Sequence, residues 1–202
     1  MSKTLIINGH QPYPFSNGNL NATLLERARN FLDELGHEVR VTIVADGYEV
    51  EREIESHIWA DTILMQFPVN WMGAPWSFKK YMDDVYTVGM DGRLCKGDGR
   101  VAEAPKANYG MGGALNGTCY MLSATLNAPA EAFDDPSEPF FEGTSLDDLL
   151  RPMHLNAKFF GMSPLPTFGA FDVMKNPEIN ADLARFDAHL KTVFNDAQHA
   201  TP

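Results

Sequence analysis

Leu5-Ile6-Ile7-Asn8-Gly9, followed by the polar stretch His10 to Asn19 and then the periodic run Leu20 to Leu35, decides the fold. A short, uninterrupted apolar run ending at Asn-Gly suits a parallel strand buried on both faces. The run after it repeats Leu20, Leu24, Phe31 and Leu35 at helical spacing, with Leu25, Ala28 and Leu32 widening the stripe. Gly36 is a helix stop. The chain therefore opens as strand, loop, helix.

The same unit recurs. Residues 38–44 alternate Val39, Val41 and Ile43, which predicts a half-buried strand, and Val50, Ile54 and Ile58 predict a second helix. Thr62 to Phe67 is a third, fully buried strand ended by Pro68, and Pro75 opens a helix reaching about Tyr86. Cys119 to Thr125 reads as the fourth strand, about Ser145 to Phe160 as one helix, Leu165 to Phe171 as the region of the fifth strand, and about Glu178 to Asn195 as the last helix. Five βα units without a linker or repeat predict an α/β, doubly wound five-stranded parallel sheet of order 2-1-3-4-5, helices on both faces. All 202 residues read as one domain, with 196–202 a loose tail. Two long Gly- and Pro-containing excursions, 87–117 and 126–144, interrupt the pattern and predict segments that wrap the core or serve the site.

Composition narrows the function. The charge is -11, from 16 basic and 27 acidic residues, with no Lys/Arg cluster, which argues against nucleic acid and anionic membranes as partners. A local positive pocket is compatible with such an acidic whole. Cys95 and Cys119 form no CxxC pair and read as free thiols of a reducing compartment. The N-terminus lacks a signal-peptide pattern and no apolar run approaches the roughly 20 residues of a membrane span, so a cytoplasmic location is expected. The six histidines lack metal-ligand spacing, and no metal is expected.

In an open α/β sheet of this order, ligands collect beyond the carboxyl ends of the strands at the switch point. There the loops after strands 1, 3 and 4 meet. The first ends in Ser16-Asn17-Gly18-Asn19-Leu20-Asn21-Ala22-Thr23, which can turn backbone N–H groups and a helix dipole toward an anion. An ordinary Ser/Asn helix cap is the alternative. The second loop, Val69-Asn70-Trp71-Met72-Gly73-Ala74-Pro75-Trp76, offers flat and polarizable groups for a heterocycle, or tryptophans capping the core. The third, Thr125-Leu126-Asn127-Ala128-Pro129, with Tyr109-Gly110-Met111 upstream, permits close backbone approach or is a plain loop. No Walker loop, GxGxxG or GxSxG is present. A phosphatase would need a Cys in the first loop and a response regulator an Asp where Gln66-Phe67-Pro68 stands.

These segments, with Lys79-Lys80-Tyr81, Asp83-Asp84-Val85, Glu131-Ala132-Phe133 and Gly161-Met162 to Phe168, resemble the modulator of drug activity B group of NAD(P)H-quinone oxidoreductases, which are flavodoxin-like flavoproteins. The resemblance covers nearly the full chain. It implies FAD, in preference to FMN, held between the subunits of a homodimer, with NADPH or NADH as donor and a small quinone-like acceptor. It assigns FAD contacts to Ser16 through Thr23, to Val69, Asn70, Trp71 and Met72, to Tyr109, and to Thr125, Leu126, Asn127 and Ala128. His10 falls where the broader quinone reductase family has a histidine near the pyrophosphate. Asn70 stands where close relatives often carry a second aromatic. Trp71, Met72, Met111 and Phe133 are expected to form the acceptor pocket.

Mammalian-type quinone reductases use a Tyr and a His after strand 4 as a proton relay. Phe133 and Pro139 stand in the corresponding region and cannot donate, so no catalytic side chain is assigned. The expected chemistry is ping-pong hydride transfer carried by the flavin. Reductases of azo, nitro or enone acceptors, an FMN electron carrier, and an interaction protein that kept only the fold are the alternatives.

Overall fold

The computed structural model describes residues 2–196; of the expected tail, 197–202 lie outside the described residues, and Asp196 ends the last helix. In chain order the elements are β1 (Lys3–Asn8), α1 (Asn19–Glu34), β2 (Glu38–Ile43), α2 (Val50–Trp59), β3 (Thr62–Pro68), α3 (Trp76–Gly89), β4 (Cys119–Thr125), α4 (Leu146–Leu149), α5 (Arg151–Phe159), β5 (Ser163–Pro164), β6 (Phe168–Ala170) and α6 (Ile179–Asp196). The strands are parallel and ordered β2-β1-β3-β4-β5, as expected.

Two apolar layers follow from side-chain alternation. Leu5 and Ile7 join Ile63, Met65 and Leu122 under α2, α3 and α5. Ile6, Leu64 and Met121 face the other way, under α1 and α6. The central strands are thus buried on both sides, which is why they read as unbroken apolar runs. Among the described residues, no helix is long and apolar enough to cross a membrane.

Three expectations need correction. The fifth strand is two pieces in one lane: β5 pairs with Cys119 and Tyr120, and β6 with Ser123 to Thr125. Pro164 and Pro166 lack the N–H groups that a continuous ladder needs. The helix expected over 145–160 is α4 and α5, separated at Leu150. Pro152 cannot donate to the Asp148 carbonyl, and its ring would crowd it. In β2, Thr42 is buried while Val41 and Ile43 stay 38% and 40% exposed. Alternation gives the face of a strand correctly, but at the sheet edge only Val39 packs into the layer under α1.

Thr42 faces a buried carboxylate instead. Glu53 accepts hydrogen bonds from the Thr42 hydroxyl at 3.0 and 2.9 Å and from the Tyr81 hydroxyl at 2.7 Å. Next to it His57, fully buried, donates from Nδ1 to the Glu53 carbonyl at 2.8 Å, and its Nε2 has no partner among the described residues.

The 87–117 excursion closes on the core rather than leaving it. Leu94, Cys95 and Leu115 are buried, and the Leu115 N–H donates to the Phe160 carbonyl at 2.9 Å. Gly113 lies so close that an added Cβ would meet the Phe160 carbonyl carbon at 2.1 Å. Such backbone contact admits only glycine. Gly113→Ala should lower the unfolding free energy in urea by about 1–3 kcal/mol. Gly73→Ala, where a Cβ meets nothing within 4 Å, should stay within about 0.5 kcal/mol of wild type.

Burial lowers the His57 pKa below its ordinary 6.5, so below that pH the unfolded chain holds more protons than the folded one. Its contribution to stability is complete above pH 6.5 and is lost as the pH falls. His57→Asn keeps a donor for the Glu53 carbonyl and removes the titration. Urea titrations between pH 6.5 and about 5 should show a shallower loss, by up to about 1.4 kcal/mol per pH unit. An unchanged slope would contradict this.

Candidate functional site

A cleft of about 770 Å³ opens at the carboxyl ends of β1, β3 and β4, within the range of roughly 300–1,000 Å³ usual for small-molecule sites. Its first wall is the loop after β1. The Asn8 side chain accepts from the His10 N–H at 3.0 Å, turning the chain sharply out of the strand. Tyr13 and Ser16 then exchange backbone hydrogen bonds at 3.0 and 2.9 Å, and the Tyr13 and Phe15 rings stack at 5.6 Å.

Gly18 caps α1 in a left-handed conformation, φ 80°, with no side-chain cap. The ordinary Ser/Asn cap is therefore not what the sequence builds. A Cβ on Gly18 would sit 2.3 Å from His10 Nδ1, so the position needs glycine for both backbone angle and space. Among the described residues, the N–H groups of Asn17, Gly18, Asn19, Leu20 and Asn21 meet no acceptor. They form a row of donors at the positive end of the α1 dipole. His10 is 6% exposed, burial lowers its pKa, and its Nε2 has no partner among the described residues.

The floor is a chain of amides. Gln66 Nε2 donates to Asn21 Oδ1 at 2.9 Å, and Asn21 Nδ2 donates to Thr125 Oγ1 at 3.2 Å. One buried side chain from each of α1, β3 and β4 is locked to the next. Gln66 Oε1 and Ser123 Oγ are buried without partners among the described residues.

The second wall is the loop after β3. The Val69 N–H donates to the Thr125 carbonyl at 2.9 Å, and Asn70 and Gly73 exchange backbone hydrogen bonds. Between them Trp71 and Met72 both take left-handed backbone, φ 50° and 64°. Two-residue turns of this hand prefer Asn-Gly. The strain of two bulky residues there, of order 1–3 kcal/mol each, marks a turn shaped for more than connection. Trp71 is 97% exposed.

Thirteen of the predicted residues divide between the cleft and its supports. His10, Ser16, Asn17, Gly18, Asn19, Leu20, Asn21, Val69, Asn70, Trp71, Thr125 and Asn127 line it, while Met72 adjoins it in the strained turn. Ala22, Thr23, Leu126 and Ala128 do not line it: Leu126 is 3% exposed and Ala128 packs against the core. Tyr109 and Met111 lie on the 87–117 excursion, both exposed, with Tyr109 against Phe159 and Arg100. Within one chain they do not reach the cleft lining. Phe133 is core, 6% exposed and stacked on Phe141 at 4.4 Å. Sequence reasoning missed Gln11, Tyr13, Phe15 and Pro68, and an apolar shelf of Val173, Met174 and Ile179 after β6. The shelf had a signal: the loop after the fifth lane adjoins that after β4, and the Val173 N–H donates to the Leu126 carbonyl at 3.0 Å.

The donor row, the unpartnered His10 nitrogen and the two apolar walls suit an anion flanked by flat groups. Comparison with known proteins agrees on the family. Residues 2–193 match a family model described as Flavodoxin-like fold. The NADPH:quinone oxidoreductase MdaB of Haemophilus influenzae is 44% identical over 190 residues, 94% of this chain and 98% of that one. An uncharacterized protein of Schizosaccharomyces pombe is also 44% identical, over 96% of this chain and 98% of its own length. A solved structure of a candidate quinone reductase from Klebsiella pneumoniae superposes with TM-score 0.77 at 24% identity, covering 100% of this chain and 87% of that one. General stress protein 14 of Treponema denticola, solved in complex with FMN, gives 0.65 at 23% identity over 95% of this chain and 99% of that one. The chain belongs to the flavodoxin-like fold family, in its modulator of drug activity B group.

Proposed function

We propose that the chain is an FAD-dependent NAD(P)H:quinone oxidoreductase, in which nicotinamide donor and quinone acceptor take one place above the cleft in turn. The observation that carries this reading is the row of unpartnered N–H groups from Asn17 to Asn21 beside the free nitrogen of buried His10. A helix N-terminus with several open donors suits the phosphates of a nucleotide, and burial, which lowers the His10 pKa, favours a neutral ring beside it. The name and activity of the Haemophilus influenzae relative support the same reading.

A diphosphate seated on α1 leaves an apolar wall to either side: Val69 to Trp71 on one, Val173, Met174 and Ile179 on the other. A dinucleotide with a ring system at each end fits that arrangement better than a mononucleotide. Bound FAD would supply the two-electron chemistry between nicotinamide and quinone. The chain's own part is to hold and orient. Asn21, fixed by Gln66 and Thr125, would keep α1 aimed at the phosphates, and the Val69 and Asn127 segments of the cleft lining would border the ring. Trp71 and Met72 project from a turn tied back by the Asn70–Gly73 hydrogen bonds, as walls of an acceptor place. Positioning and backbone donors, not an acid–base side chain, are the chain's catalytic contribution. A homodimer in which the partner's excursion brings its exposed aromatic and methionine over the cleft accounts for the exposure of Tyr109 and Met111 in a single chain.

Cofactor-depleted protein titrated with FAD and with FMN should bind FAD more tightly. The FAD-loaded protein should oxidise NADPH or NADH with a benzoquinone above the oxygen background. Gly18→Ala, which drives a Cβ into His10, should weaken FAD binding by about tenfold or more. Failure to bind either flavin would end the proposal.

Replacing Trp71-Met72 by Asn-Gly separates strain from function. The double variant should be more stable by about 1–2 kcal/mol in urea, since both residues leave an unfavourable backbone region. Its kcat/KM for the quinone should fall by about tenfold or more, through lost acceptor contacts.

A further inference from the structure

A second cavity, of about 530 Å³, lies at the other end of β4 and shares no lining residue with the cleft. Tyr120 is the second residue of β4 and Thr125 its last; five residues of strand put the two sites roughly 17 Å apart along the sheet. The second cavity forms where α5 crosses the β5 edge.

A hydrogen-bonded chain crosses its floor. The Tyr120 hydroxyl lies 2.7 Å from His154 Nδ1, and His154 Nε2 lies 3.2 Å from Asp147 Oδ1. The consistent assignment has the phenol donating to Nδ1 and Nε2–H donating to Asp147. Burial, with the nearby Asp147 charge, pushes the Tyr120 phenol up to about 12, so it stays a donor throughout the physiological range. Asp148 is likewise occupied: its Oδ2 accepts from the Ser145 hydroxyl at 2.6 Å and the Ser145 N–H at 3.2 Å.

Both carboxylates of the cavity thus accept hydrogen bonds from neighbouring protein groups, Asp147 from His154 and Asp148 from Ser145. Arg151, His154, Leu155 and Lys158 share one face of α5 at helical spacing. Among the described residues, neither Arg151 nor Lys158 meets a carboxylate within 4 Å. The chain is acidic, charge -11, and among the described residues five of its eight arginines form ion pairs. Arg151 and Lys158 both line the cavity, and their charged ends are available to an anion from outside. Apolar surface adjoins them: Leu155 is exposed on the same face of α5, Met162 is 4% exposed, and Pro164 ends β5.

We infer that this cavity is a binding site for a small organic carboxylate with a flat apolar body. The carboxylate lies between the Arg151 guanidinium and the Lys158 ammonium, and the body rests on Leu155, Met162 and Pro164. A guanidinium takes a carboxylate through two parallel hydrogen bonds. The Tyr120–His154–Asp147 chain fixes the floor. The site stands independently of what the cleft binds.

The test is an NMR titration of the ¹⁵N-labelled full-length protein at constant ionic strength. Sodium benzoate, sodium acetate and inorganic phosphate are the probes. Benzoate should saturate shifts of the His154 ring and of amides over residues 151–164, and should bind about tenfold or more tightly than acetate or phosphate. The double variant Arg151→Ala/Lys158→Ala should lose benzoate binding by about tenfold or more, with Tm and NADPH-quinone turnover unchanged. Leu155→Ser should weaken benzoate and leave acetate unaffected. The proposal is overturned if benzoate gives no saturable shift at α5, if acetate or phosphate matches it, or if the double variant binds as wild type does.

Discussion

Three buried amide and hydroxyl groups hold the working end of the molecule together. Gln66 from β3, Asn21 from α1 and Thr125 from β4 are hydrogen-bonded in sequence, each nearly or fully out of water. In that setting an unmade hydrogen bond is expensive, about 1–3 kcal/mol for each orphaned group. The chain therefore fixes the angle at which α1 meets the sheet. With that angle set, the first turn of α1 points its open N–H groups over the strand ends. Its left-handed cap brings Gly18 against His10. The walls of the cleft are loops hung on this anchor, and the Val69–Thr125 backbone hydrogen bond ties the second wall to the same point.

Much of this was legible in the sequence, for reasons that are local. Leu5 to Ile7, Thr62 to Phe67 and Cys119 to Thr125 are apolar on both faces, and only a two-sided layer accommodates them. The order 2-1-3-4-5 and the convergence of the loops after β1, β3 and β4 followed from counting units. What escaped depends on partners distant in sequence. Glu53 looks like a solvated helix residue until Thr42 and Tyr81 arrive from elsewhere to satisfy it. Val41 and Ile43 alternate correctly, yet alternation does not say how far a roof of helices extends. The family resemblance puts Phe133 in the acceptor pocket, but its loop folds back and stacks it on Phe141. The prolines at 152, 164 and 166 were visible, and their cutting of one helix and one strand needed no tertiary knowledge.

The strained and unpaired features lie outside the anchor. Trp71 and Met72 hold an unfavourable turn at the mouth of the cleft, while Arg151 and Lys158, without an ion pair among the described residues, line the cavity on the far edge of the sheet. A rigid two-layer core can carry both, because neither disturbs the buried strands between them. The fold thus offers two chemically distinct places, one built from backbone donors and one from side-chain cations.

The central claim is that the α1 donor row and His10 bind a phosphorylated flavin through its phosphates. Calorimetric titration of cofactor-depleted protein with FAD and with riboflavin, which carries the same ring without phosphate, tests it most directly. The account predicts that riboflavin binds about a hundredfold or more weakly than FAD. Equal affinity for the two would contradict it, because the donor row would then contribute nothing to recognition.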